Sequence, residues 1–375
     1  MKRISIVVLI LCACFVSVAW GQPLTCKVYT PWAEFHRANM QRFNPCEKVL
    51  NVNNVGNLSL KWSSATGGYV GSSPTVADGV VYVGSDDANV YALNASTGAK
   101  LWSYTTLGDV VSSPAVANGV VYVGSYENVY ALNASTGAKL WSYATGGFVE
   151  SSLTVANGVV YAGVAYTDHG SLYALNASTG ALLWSYTTGG AGDSSPAVAN
   201  GVVYVGSGDN NVYALNAETG AKLWSYTTGS AVKSSPAVAN GVVYIGSEDL
   251  NVYALNASTG AKLWSYTTGF EVTSSPAVAK GVVYVGSYDG YVYALNASTG
   301  VKLWRRKIDP GDSSPAVANG VIYIGSQDND LYALSAKTGA KLLRYTKGSV
   351  SGSSPVVANG VVYIGGASMY AFGLK

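Results

Sequence analysis

The stretch SSPAVANGVVYIGSEDLNVYALNASTGAKLWSYTTG, from Ser234 to Gly269, decides the fold. It reads as four short strands separated by turn residues. Ser-Ser-Pro-Ala-Val-Ala is the first. Asn240-Gly241 follows, a hairpin signal because both positions of a tight primed turn want φ > 0. Val-Val-Tyr-Ile-Gly-Ser is the second, and a polar loop leads to the third, Val-Tyr-Ala-Leu-Asn. The turn Ala-Ser-Thr-Gly leads to the fourth, Lys-Leu-Trp-Ser-Tyr. Strands two and three are nearly continuous apolar runs, so both of their faces are expected to be buried.

Working outward, the unit recurs along the chain. Ser-Ser-Pro begins at residues 72, 112, 194, 234, 274, 313 and 353, and Ser151-Ser152-Leu153 is an eighth copy. The steps between copies are 40, 39, 43, 40, 40, 39 and 40 residues. A four-stranded sheet repeated every 40 residues and packed on both faces is a propeller blade. A two-sheet sandwich would show polar alternation, and a parallel β-helix a shorter period. The last unit stops at Lys375, before its fourth strand, while an orphan fourth strand, Leu60-Lys61-Trp62-Ser63, precedes the first unit. The expectation is an all-β, eight-bladed propeller over 57–375, closed by the N-terminal strand completing the C-terminal blade. Proline removes a backbone donor, so Pro74, Pro114, Pro196, Pro236, Pro276, Pro315 and Pro355 belong on the blade edge that lines the channel.

Composition agrees. The chain has 375 residues with 22 Lys+Arg, 20 Asp+Glu and two His, only 11% charged, with 44 Gly and 28 Tyr. A disordered chain, a coiled coil or a helical bundle would need many more charged or helix-forming residues. Scattered basic residues and a net charge of +2 give no footprint for nucleic acid.

Lys2-Arg3, an apolar run from Ile4 to Val18 and small residues near Ala19–Gly21 have the layout of a secretory signal peptide over 1–21. The chain is then secreted or periplasmic, and no other segment is long and apolar enough for a transmembrane span. An alternative is lipidation of Cys14, since Leu11-Cys12-Ala13-Cys14 has the form of a lipobox. Residues 22–56 form a lead-in to the propeller. Its two cysteines, Cys26 and Cys46, read as one disulfide in an exported chain, stabilising by about 3 kcal/mol through loop closure.

The segment from Ala254 to Trp264 resembles the tryptophan-docking motif of quinoprotein propellers, A-x-[D/N]-x-x-T-G-x-x-x-W. It recurs ending at Trp102, Trp141, Trp184, Trp224 and Trp304, while Leu343 replaces Trp in one copy. The stretch from Trp32 to Trp62 is similar to the lead-in before the first blade of that superfamily. The resemblance covers about residues 32 to 375 and implies an eight-bladed propeller of the pyrroloquinoline-quinone (PQQ) repeat type. It implies a structural role, packing between blades, for Trp62, Trp102, Trp141, Trp184, Trp224, Trp264 and Trp304.

The resemblance also implies what a PQQ dehydrogenase would need: a vicinal Cys-Cys pair over the cofactor, a Trp beneath it, carboxylate and amide calcium ligands, and an Asp base. This chain has no Cys after Cys46 and no propeller Trp outside the motif, and it is much shorter than those enzymes. No Ser/His/Asp arrangement, phosphate loop or metal-spaced Cys/His cluster stands out either. The reading is a non-catalytic binding or scaffold propeller without cofactor or metal, a monomer whose partner is an unidentified protein or small-molecule ligand. A PQQ- and calcium-dependent dehydrogenase and an envelope-assembly subunit are the alternatives.

Strands alternate in direction, so the loops joining strands one to two and three to four share one face. There the sequence barely changes between copies. The loops joining strands two to three and four to one share the other face, and there the copies differ most. The residues just before the Ser-Ser pairs, Glu150, Asp193, Lys233 and Asp312, are therefore the expected ligand-binding positions at the channel mouth. Asp168 and His169, in the longest loop of blade three, and Arg305 and Arg306, in a connection unlike the others, complete the set.

Overall fold

A computed structural model describes residues 41–190, 192–346, 350 and 352–375. The signal peptide over 1–21, Cys14 and Cys26 lie outside the described residues. The strands form eight sheets. Blade five shows the common plan: an inner strand Ala237–Ala239, then Val242–Gly246, Asn251–Asn256 and an outer strand Lys262–Thr267, each antiparallel to the one before. The Asn240-Gly241 turn has φ of 50° and 76°, as a primed hairpin requires.

Ring closure is as the repeat count implies. Leu58–Ser64 pairs antiparallel with Met369–Leu374 and supplies the outer strand of blade eight. A bulge between strands three and four recurs in the blades. In blade five Ala254 faces Trp264 but Leu255 faces Lys262, which leaves Leu263 unpaired and 51% exposed while Trp264 turns inward.

The tryptophans join the blades. Trp224 donates from Nε1 to the Ala257 carbonyl of the next blade at 3.0 Å, and Tyr204 donates its hydroxyl to the same oxygen at 3.1 Å. The indole lies flat over Gly260, where an added Cβ would sit 2.7 Å from the ring. Asn256 closes the turn by accepting from the Ser258 and Thr259 amides. Trp62 of the N-terminal strand docks on Ala95 in the same way, together with Tyr363. The motif is thus a junction: Asn and Thr build the turn, Gly admits the indole and Ala offers the carbonyl. Between blades seven and eight it fails. Leu343 stands where Trp stood, and the Tyr323 hydroxyl is buried without a hydrogen-bond partner among the described residues. Leu50 and Val55 of the lead-in and Leu58 of the closing strand pack in the same apolar cluster as Tyr323 and Leu343.

Two features of the channel depart from expectation. Hydrogen-bonded pairing of the inner strands begins only after each proline, at Ala-Val-Ala or its equivalent. In the Ser-Ser pairs before them the first serine accepts from a glycine amide of its own blade, as Ser234 does from Gly246, and the second bonds between blades. The amide of each second serine donates to the second-serine Oγ of the next blade, from Ser73 to Ser113 round to Ser354 and back to Ser73, closing a ring of eight. The inner edge is also not everywhere unpaired. Phe43–Asn44 of the lead-in adds to Ala316–Ala318 as a fifth, parallel strand inside the channel. Arg42, fully buried, donates to the carbonyls of Ser314, Pro315 and Pro355, and Asn44 Nδ2 donates to Val357 O. These carbonyls lie before the paired part of the inner strands, and a guanidinium with five donors suits them.

Candidate functional site

The two faces differ in kind. On the constant face the lead-in lies against blades seven and eight, where the Gly360 amide donates to Glu47 Oε2 and Asn319 Nδ2 donates to Leu50 O. On the variable face the loops between strands two and three of blades one, four and five are braced before they can serve a ligand. Asp209 accepts from the Tyr213 hydroxyl at 2.6 Å and from the Gly189 amide of the neighbouring connection at 2.7 Å. Burial works to raise this carboxyl, but these hydrogen bonds hold it below the usual range. Asp87 and Asp249 are bound in the same way. These aspartates are structural.

A second group of carboxylates stands on the same face. Glu150 lies within the field of Asp193, and both are pushed above the usual carboxylate range, each first by burial. For Glu150 the second cause is the negative charge of Asp193. For Asp193, Lys233 pulls down while Glu248 pushes up. Lys233 Nζ stands 3.0 Å from Glu248 Oε1 and also feels Glu271. Glu271 in turn acts on Tyr288, whose hydroxyl donates to Asp312 Oδ2 at 2.7 Å, and Thr273 donates to Asp312 Oδ1 at 2.8 Å. Glu150, Asp193, Glu248, Glu271 and Asp312 thus make an arc of five carboxylates with one lysine, running from blade three to blade seven beside the Ser-Ser ring.

The arc ends at an apolar pocket of about 370 Å³ between blades two and three. Leu107, Val111, Tyr126 and Phe148, all of them more than a third exposed, line it together with Asp109 and Glu150. Tyr126 and Phe148 meet edge to face with ring centroids 5.2 Å apart.

The structure therefore brings Glu150, Asp193 and Lys233 together and carries the line on to Asp312. Two other expectations need correction. Arg305 and Arg306 are not in a loop: they belong to the outer strand Lys302–Lys307, opposite Tyr293 and Val292. Arg305 lies over the Tyr291 ring at 4.4 Å, and Arg306 Nε donates to Gly339 O at 2.7 Å. The long loop of blade three is mostly strand, because Val164 pairs with Ser171 and Ala165 with Gly170. The hairpin grows longer and leaves only 166–169 as its tip. There Asp168 and His169 bond to each other at 2.6 Å, and His169 stacks on Tyr166 at 4.4 Å. Sequence reasoning missed Glu248, which adjoins the bracing Asp249 in one loop, and Glu271, which lies in the connection from strand four to the next blade.

The PQQ cofactor that the resemblance implies does not fit the residues present. Every tryptophan among the described residues stands between blades and donates to a neighbouring alanine. Lead-in residues occupy part of the channel. Among the described residues no three His, Cys, Asp or Glu side chains are placed to hold a metal ion.

Comparison with known proteins agrees with this architecture. The profile of the family described as outer membrane protein assembly factor BamB matches residues 51–147, 125–342 and 288–372. No curated protein matches the chain by sequence. Among solved structures, the chain is similar to a europium-containing methanol dehydrogenase, with 17% identity over 92% of this chain and 98% of that one and a TM-score of 0.79. It is similar to BamB from Moraxella catarrhalis, with 19% identity over 84% and 99% and a TM-score of 0.73. A quinohemoprotein alcohol dehydrogenase from Comamonas testosteroni gives 18% over 92% and 80%, with a TM-score of 0.80. At these identities the likeness is one of fold. Assembly factors and dehydrogenases share the scaffold, so function has to be argued from the site.

Proposed function

Since the chain belongs to the PQQ-like propeller-repeat family described as outer membrane protein assembly factor BamB, we propose that it is an exported, non-catalytic binding propeller. Its partner is a polypeptide that docks on the variable face with a large apolar side chain in the Leu107–Phe148 pocket and lysine or arginine along the acidic arc. The observation that carries this reading is the adjacency of that pocket to five carboxylates, with Glu150 belonging to both. An arc that crosses five blades is too long for one small molecule and suits an extended chain. Exposed aromatic and aliphatic side chains give such an interface its anchor, and the charges give it steering and register. The family's description favours a partner in the cell envelope.

Selection of a displayed random peptide library on the immobilised chain tests this. The expected winners combine Phe, Trp or Leu with neighbouring Lys or Arg. They should lose binding to the combined variant Glu150→Gln, Asp193→Asn, Glu248→Gln, Asp312→Asn. Enrichment of acidic peptides, or winners indifferent to that variant, would defeat the proposal.

A further inference from the structure

The constant face carries a second recess, which the partner reading does not use. It lies between blades six and seven, has a volume of about 470 Å³, and is walled by Val52, Tyr284, Ala336 and Leu342 with Lys280 and Lys337 at its lining. That volume falls within the roughly 300–1,000 Å³ of small-molecule pockets. The repeat supplies an internal control for reading it. The same turns recur around the ring, and six of the eight units carry Asn where Lys280 stands, with Asp78 the other exception. At the position of Lys337, five of the seven complete units carry Ser, with Glu218 the other exception. Both lysine departures on the constant face thus converge on one recess.

Val52 explains why the recess is here. It belongs to the lead-in and stands beside Gly320 of blade seven, so its side chain raises a wall over turns of the repeat. The Tyr284 hydroxyl is committed to Ala336 O at 3.1 Å, so the ring presents carbon to the recess. Neither lysine makes an ion pair among the described residues. Two ammonium groups beside an apolar hollow, with no carboxylate in its lining, match a ligand that is apolar along its length and anionic at one end.

We infer that the recess between blades six and seven binds a single-chain anionic amphiphile, an alkyl carboxylate or alkyl phosphate, with its chain against Val52, Tyr284 and Leu342 and its headgroup at Lys280 and Lys337. Calorimetric titration of the full chain with dodecanoate and with dodecyl phosphate, both below their micellar concentrations, tests it. Inorganic phosphate serves as headgroup alone and dodecanol as chain alone. The expected result is saturable one-to-one binding of both amphiphiles and no heat with inorganic phosphate. Dodecanol should bind at least tenfold more weakly than dodecanoate.

The variant Lys280→Asn, Lys337→Ser restores residues that other blades carry, so it keeps the turns intact. It should weaken both amphiphiles by about three- to fivefold per lysine with an unchanged melting temperature. Val52→Glu, at a position already 43% exposed, should abolish binding by placing a carboxylate in the wall. Unchanged affinity in both variants, binding of inorganic phosphate alone, or no binding of either amphiphile would overturn the inference. The variable-face carboxylate variant should bind dodecanoate like the parent, which separates this site from the partner surface.

Discussion

The double acceptor at each blade junction predicts a specific failure of additivity. Ala257 O, in a residue only 8% exposed, accepts from Trp224 Nε1 at 3.0 Å and Tyr204 Oη at 3.1 Å. Tyr204→Phe removes one donor and keeps the ring, at an expected cost of about 1 kcal/mol. Trp224→Phe removes the other donor and, with roughly 40 Å² less apolar contact, costs about 2 kcal/mol. Either variant alone leaves the carbonyl one donor. The double variant leaves it buried and unsatisfied, which adds about 1–3 kcal/mol beyond the sum. Urea unfolding of the parent, both singles and the double, followed by far-ultraviolet circular dichroism, closes the cycle. If the costs add to within about 0.5 kcal/mol, the distance expected of independent sites, the shared carbonyl is not what joins the blades.

Other expectations follow from the same structure. Deleting 57–66 removes the outer strand Leu58–Ser64 of blade eight together with the Trp62 bond to Ala95, so the product should aggregate or melt far below the parent in calorimetry. Tyr323→Phe removes a buried hydroxyl that has no partner among the described residues and should be neutral or stabilising by about 1 kcal/mol in urea, the opposite of Tyr204→Phe. Glu150 and Asp193 have folded-state pKa values raised by burial, so the stability they contribute is present below the ordinary carboxylate range and lost as pH rises through their raised values. Glu150→Gln with Asp193→Asn should therefore raise the melting temperature at pH 7 relative to the parent, and the gain should vanish at pH 3. Affinity for a basic peptide should fall on acidification sooner than an ordinary carboxylate would dictate, measured by titration between pH 7 and pH 4.

Much of this fold is legible in one repeat, because the repeat encodes its own junction. Trp264 needs a glycine beneath it and a carbonyl at its edge, and the motif carries both at fixed spacing in the next unit, at Gly300 and Ala297. The orphan strand around Trp62 gives the closure by simple counting. The path of the lead-in is not legible. Arg42 reads as one more basic residue in a polar stretch, and only three-dimensional placement puts it against Pro315 and Pro355. Nor does sequence variability alone identify a site. It marks Arg305 and Arg306 as readily as Asp193, although the pairing with Tyr293 and Val292 keeps the arginines in the outer strand. Glu248 and Asp249 are neighbours in one loop. The hydroxyl of Tyr253, four residues on, is what commits one carboxylate to the fold, while the other is left to face Lys233.

The variable face, with its pocket and its acidic arc, is the surface we propose for meeting a polypeptide. Hydrogen exchange of the full chain, free and saturated with a selected basic, apolar-anchored peptide, tests it most directly. Slowed exchange is expected in the segments around Leu107–Val111, Phe148–Glu150, Glu248 and Glu271–Thr273, and none in the Asn-Gly turns. Protection centred on those turns, at Asn118-Gly119 or Asn240-Gly241, would contradict it.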